Sequence, residues 1–394
     1  MLDHSSIHTV VDEGLRTAGI CFAVGYGARH DPEGRGGLAH ALEHLLMAYP
    51  LGGADSLSER VERLGCRTNA ETGLEQMLFH AQVLAEDTEE VLGLLLDAVT
   101  RPRHDAATFA SERAVVLQEL AAAAADPVDV VQDAFLADLF PGHPLGRPVG
   151  GTPAEVAALG LPDVRDGYEE RFRTSGSALV VVAPFVPAGL PSGARTDSRS
   201  MSGPRPAPAP ALGAVAGRSP AWADEFTWVA IGGRSAPAAD PDRYAFRILA
   251  ELFGASPSSP LYRTLRGEKG LAYEFQAWDR GYREAGAWRV LVGADTGKGE
   301  EVVEVVTRAL ADVAGRGPDP VDLEAARRQA RSATLFGIES PLEYARLLAR
   351  QRIDDTAWSV ASEDASLRAV TAEQVAAAAR HILDGLVVTV RPEA

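Results

Sequence analysis

The stretch GGLAHALEHLLMAYP, residues 36 to 50, sets two histidines and a glutamate into what otherwise reads as a leucine-rich helix. At about 100° per residue, Leu38, Leu42, Leu45 and Leu46 fall on one stripe, the face that such a helix buries. His40 and His44 lie almost opposite that stripe, four residues apart, so their rings are neighbours, with Glu43 beside them. Two imidazoles at i and i+4 suit two adjacent positions of a tetrahedral zinc shell. A carboxylate next door that does not ligate can deprotonate a zinc-bound water. The plain alternative is a solvated polar face, but H-x-x-E-H arises by chance in such a chain on the order of one time in a hundred.

A complete site needs a third ligand from elsewhere. In ATFASERAVVLQELAAAAADP, residues 107 to 127, Glu112 and Glu119 are seven residues apart and share one helical face, bordering the stripe of Phe109, Val116 and Leu120. Carboxylates at the edge of an apolar face are costly unless something pairs with them. Read alone they are surface glutamates more often than ligands; a zinc ion facing them reverses that.

The 394 residues exceed one ordinary core and predict two or more domains. Hydrophobic content of 46% with 24% charged residues is that of a soluble globular protein. A formal net charge of −17 argues against nucleic acid and anionic membranes as partners, whereas a cationic or neutral peptide is not repelled. No apolar run approaches the roughly 20 residues of a membrane span. The start MLDHSSIHTVVDEG lacks a basic segment and an apolar signal core, so the expected compartment is the cytoplasm. Cys21 and Cys66 lack metal-type spacing and read as inert core thiols.

The clearest break is the Pro-, Ala-, Gly- and Ser-rich stretch 186–222, which reads as a linker between a domain at 1–185 and another at 223–394. Each half reads as an α+β unit. The first runs from a strand at 20–28 through the histidine helix, a strand-like segment at 66–83 and helices near 86–99 and 106–125 to a closing strand at 177–183. The second repeats that order, with strands at 226–233, 272–278, 287–294 and 386–392 and a helix at 241–254, but without the histidines. The expected fold is therefore two similar α+β domains, each a mostly antiparallel sheet covered by helices.

These motifs resemble the inverzincin, or pitrilysin-type, metallopeptidases, and the resemblance covers nearly the whole chain. In that family H-x-x-E-H is followed about 75 residues later by a glutamate that completes the zinc shell, with another glutamate seven before it. Here His44 and Glu119 are 75 positions apart and Glu112 fills the earlier place. The resemblance implies zinc held by His40, His44 and Glu119, Glu43 as general base, and Glu112 behind the ligands. RTNAETGLEQMLFH is similar to the family's edge strand, which implies peptide pairing near Asn69 and Ala70 by β-augmentation. SSPLYRTLRGEKGLAY resembles the segment whose Arg and Tyr, here Arg266 and Tyr273, bind the substrate carbonyl and stabilise the tetrahedral intermediate. FPGHPLGRPVGGT, residues 140 to 152, is similar to a family signature of structural role, and His143 reads as a packing or turn residue.

The resemblance further implies zinc-dependent cleavage of short or unfolded peptides, with the chain forming half of a clamshell closed by a second chain, as a homodimer or as a heterodimer with a related subunit. An edge strand ahead of the strand at 20–28 is expected to be shortened or absent, and FGASPSSP is stiffer than the glycine-rich loop of relatives. Two other classes compete: a non-catalytic scaffold subunit, which has no need of Glu43, and a peptide-binding module with a structural zinc, which calls for a fourth protein ligand.

Overall fold

The computed structural model describes residues 5–51, 55–103, 105–188, 190, 226–354 and 358–391. The chain folds as two compact α+β units. Unit 1 comprises Met1–Ala122, Arg147–Pro208 and Phe336–Trp358; unit 2 comprises Ala123–Gly146, Ala209–Leu335 and Ser359–Ala394. Most of the stretch read as a linker lies outside the described residues.

In unit 1 five strands, β1 (Ser5–Val11), β2 (Thr17–Val24), β3 (Arg67–Thr72), β4 (Met77–Leu84) and β5 (Ser177–Ala183), form a sheet in the order β1-β5-β2-β4-β3. Only the β1–β5 pair is parallel. Two expectations are corrected here. The edge strand is not absent, since β1 pairs with β5 from Ser5↔Ser177 to Val11↔Ala183. The single segment at 66–83 is a hairpin: the Gly73 N–H donates to the Gln76 carbonyl at 2.9 Å and reverses the chain between β3 and β4.

Nearly every residue of β2 and β5 is buried, so this sheet needs cover on both faces. One face is packed by α1 (Leu38–Ala48), α2 (Leu57–Arg63) and α3 (Thr88–Thr100), whose leucines join Phe22, Phe79 and Val181 in one core. The other face takes the helix Pro341–Ile353, where Ala345, Leu348 and Ala349 meet Cys21, Ala23, Leu78, Val180 and Val182. That helix start lies so close that a Cβ on Gly19 would come within 2.3 Å of the Pro341 backbone. The last layer around the site is α4 (Ala106–Ala125), twenty residues of which only Phe109 and Val116 are buried.

Unit 2 holds an antiparallel sheet in the order β7-β8-β6-β9, from β6 (Phe226–Ser235), β7 (Ala272–Gly281), β8 (Gly286–Asp295) and β9 (Val387–Arg391). One face packs on the helices Arg243–Leu252, Gly299–Arg316 and Ala372–Asp384. The other takes α5 (Pro127–Leu139), where the Thr389 hydroxyl donates to Asp138 at 2.7 Å and Arg289 lies 5.9 Å from the Phe135 ring centroid.

A division at 186–222 therefore differs from the observed units. α5, from the first half of the chain, covers the second sheet, and Pro341–Ile353, from the second half, covers the first. The cause is that each sheet has two faces to bury. Both thiols are free and buried, and no described helix is long and apolar enough to cross a membrane.

Candidate metal centre

Leu38, Leu42, Leu45 and Leu46 are at most 1% exposed, which fixes α1 on the core and turns His40, Glu43 and His44 toward α4 and β3. Glu119 and Glu112 come from the facing side of α4. His40 Nε2 and His44 Nε2 stand 3.2 Å apart, and Glu119 Oε2 lies 3.5 Å from the first and 3.2 Å from the second. Behind them, Glu112 Oε2 is 3.2 Å from His44 Nδ1. A carboxylate accepts, so in the arrangement that suits this contact Nδ1 is the donor, and in a neutral ring that leaves Nε2 of His44 with the lone pair.

The donor set fits zinc. Bonds of roughly 2.0–2.1 Å in a tetrahedral shell place ligand atoms about 3.3 Å apart, and the triangle here has edges of 3.2, 3.2 and 3.5 Å. Burial, with His44 next to it, drops the His40 pKa to about 4, so this ring offers its lone pair rather than a charge near neutral pH. Among the described residues, this is the one His/Cys/Asp/Glu group whose atoms converge in this way.

Glu43 stays outside the triangle. Burial raises its pKa above the usual carboxylate range, and a hydrogen bond from the Thr72 hydroxyl to its Oε2, at 2.5 Å, works in the opposite direction. A cavity of about 480 Å³ opens over these groups, lined also by Met47, Ala48, Ser56, Ser58, Asn69 and Ala70. Every site residue expected from the first half of the sequence therefore borders one cavity. Thr72 was not singled out, although strand alternation places it on the same side of β3 as Ala70.

Arg266 and Tyr273 belong to unit 2. Arg266 sits in a widened helical turn, Arg263–Glu268, over the ring of Tyr262 at 5.6 Å. Tyr273 occupies the register shift of β7 between Ala272 and Glu274, and its side chain lies outside the described residues. His143, read as a packing or turn residue, is buried, and its Nδ1 accepts the N–H of Leu145 at 3.2 Å.

Fold and site together define a two-unit α+β protein in which two histidines and a glutamate converge with the spacing of a metal-binding group. Residues 7–153 match the family described as Insulinase (Peptidase family M16), and residues 190–330 match the Peptidase M16 inactive domain. An uncharacterized zinc protease of Mycobacterium tuberculosis is 30% identical over 380 residues, covering 94% of this chain and 86% of that one. Another, from Streptomyces coelicolor, is 27% identical, covering 91% and 80%. A protease from Helicobacter pylori shares the fold with a TM-score of 0.88 at 17% identity, over 98% of this chain and 96% of that chain. A peptidase M16 inactive domain structure from Pseudomonas fluorescens aligns at a TM-score of 0.81 and 15% identity, with coverage of 98% and 96%. The chain belongs to the insulinase family of peptidases, and the mycobacterial and Streptomyces relatives are both described as uncharacterized zinc proteases.

Proposed function

We propose that the chain is a zinc metalloendopeptidase that cleaves short or unfolded peptides bound as an added strand along β3. The observation that carries this reading is the triangle of His40 Nε2, His44 Nε2 and Glu119 Oε2 with an unligated, buried Glu43 beside it. Bound there, zinc would supply a Lewis acid and lower the pKa of a bound water. Glu112 fixes the His44 tautomer that ligation requires. Glu43 takes the proton of the attacking water and returns it to the leaving amine, and burial brings its pKa closer to the range in which both transfers run. Thr72 holds that carboxylate in place. β3 is the edge of its sheet, which leaves one side of its backbone for a peptide near Asn69 and Ala70.

A second copy of the chain, or a related subunit, completes the enzyme in this reading, with Arg266 and Tyr273 stabilising the tetrahedral intermediate. The scaffold alternative draws support from the match of the second half to an inactive domain. Glu43 favours catalysis, because a scaffold needs no base.

The test is metal analysis joined to peptide turnover. About one zinc per chain is expected, absent from His40→Ala and removable by chelation with loss of turnover. Glu43→Gln removes no ligand, so it should retain zinc while turnover falls by at least ~10². Zinc-free wild-type protein, or normal turnover by Glu43→Gln, overturns the reading.

A further inference from the structure

The zinc-ligand helix lacks a cap of its own. α1 begins at Gly37, a left-handed residue with φ 85° and no side chain, and its first turn contains no acidic residue. The leading N–H groups of a helix need acceptors, and here they are away from solvent. The acceptor comes from the preceding loop. Asp31, 4% exposed, accepts the Ala39 N–H on Oδ1 at 3.0 Å, and its carboxylate also faces the N–H groups of Gly37 and Leu38. The buried Tyr26 hydroxyl donates to the same oxygen at 2.9 Å.

The loop is strapped in turn. Arg147 donates to the Asp31 carbonyl at 3.1 Å and Arg171 to the His30 carbonyl at 3.0 Å. Gly150 and Gly151, from the stretch FPGHPLGRPVGGT, cross Gly36 and Gly37 backbone to backbone. A Cβ on Gly151, whose φ is +72°, would come within 2.2 Å of the Gly36 carbonyl carbon, and one on Gly37 within 2.4 Å of the Gly150 oxygen. Glu155 accepts the Gly36 N–H at 3.2 Å.

We infer that Asp31 is a positioning residue for the metal centre: held by Tyr26 and by the strap at Arg147–Gly151, it caps α1 and fixes where His40 and Glu43 point. It touches neither metal nor substrate. The inference rests on the zinc reading for its consequence but not for the cap. Loss of an N-cap acceptor weakens a helix start by an amount equivalent to about fivefold in an equilibrium constant.

Two readouts separate the parts. Amide hydrogen exchange, with the melting temperature followed in parallel, reports the cap without metal: in Asp31→Ala the amides of Ala39 and its neighbours in the first turn should lose protection while the rest of the sheet core keeps it. Zinc competition against a chelator reports the consequence. Asp31→Ala should bind zinc about fivefold more weakly than wild type, whereas Asp31→Asn, which keeps an accepting oxygen, should stay within about twofold. If Asp31→Ala does not fold, Tyr26→Phe, which removes the hydroxyl holding Asp31, serves both readouts, with the same direction and a smaller change. First-turn exchange unchanged in the variant overturns the cap. Unchanged zinc affinity, with His40→Ala confirming the site, overturns the positioning role. Wild-type protein that takes no zinc refutes the metal reading and the positioning role with it, and leaves the cap to the exchange result.

Discussion

Thr72 and Glu43 form the most informative pair at the level of single residues. Burial raises the Glu43 pKa, and the Thr72 hydroxyl, donating to its carboxylate, works to lower it. If Glu43 is the base proposed above, it acts only when deprotonated, and the acidic limb of kcat/KM should fall as pH drops through its pKa. Thr72→Val removes the bond that lowers that pKa, and should move the acidic limb of kcat/KM to higher pH with zinc content unchanged; a limb that stays in place means another group titrates there. Residues on helices were legible in the sequence because a 3.6-residue period fixes direction: His40, His44, Glu112 and Glu119 lie where the angle placed them. Thr72 and Asp31 were not. The contribution of Thr72 depends on the register of a hairpin, and that of Asp31 on where a loop returns.

Among elements, β3 is held from behind. Glu71 pairs with Arg350 at 2.8 Å and with Arg346, both on the helix Pro341–Ile353, and lies 3.3 Å from His80. The His80 hydrogen bond, then the two guanidinium groups, hold the Glu71 pKa down to about 2 from 4.5. A depressed carboxylate pKa contributes stability that is present above about pH 4.5 and is lost as pH falls from there toward 2. Glu71→Gln should therefore lower the melting temperature near pH 7, and the gap to wild type should narrow on acidification. Partial exposure of Glu71 keeps the effect modest. An equal gap at pH 7 and pH 3 would show that the pairs contribute nothing through charge. This contact was invisible in the sequence, since PLEYARLLARQRI buries chiefly alanines and a leucine and has no strong apolar stripe, whereas the β-branched run of β5 announced its strand.

For the whole molecule, the proposed pairing of chains has an arithmetic consequence. If the zinc set of one chain works with Arg266 and Tyr273 of another, each dimer holds two composite sites. Glu43→Gln and Arg266→Ala homodimers should then each be nearly inactive. In a mixed dimer one site collects both defects and the other collects none. Free exchange at equal amounts makes half the dimers mixed, so activity should return to about a quarter of wild type. Absence of recovery, with exchange confirmed by tagged pull-down, would show that Arg266 acts within its own chain or that the true partner is a different protein. The similar order of elements in the two halves was readable from hydrophobic patterns; the exchange of helices between them was not, because periodicity reports which face of a helix is buried and is silent about which sheet buries it.

That exchange also bears on ancestry. A repeated unit that folds alone can be copied, separated and left to drift as an independent gene. Here each half of the coding sequence specifies a sheet with one bare apolar face and one helix that belongs elsewhere. A substitution in the helix Pro341–Ile353 is answered at Cys21 and Val180, far upstream in the reading frame. The two halves are thus tied to one another, and a change in the packing of either has to be accommodated by the other.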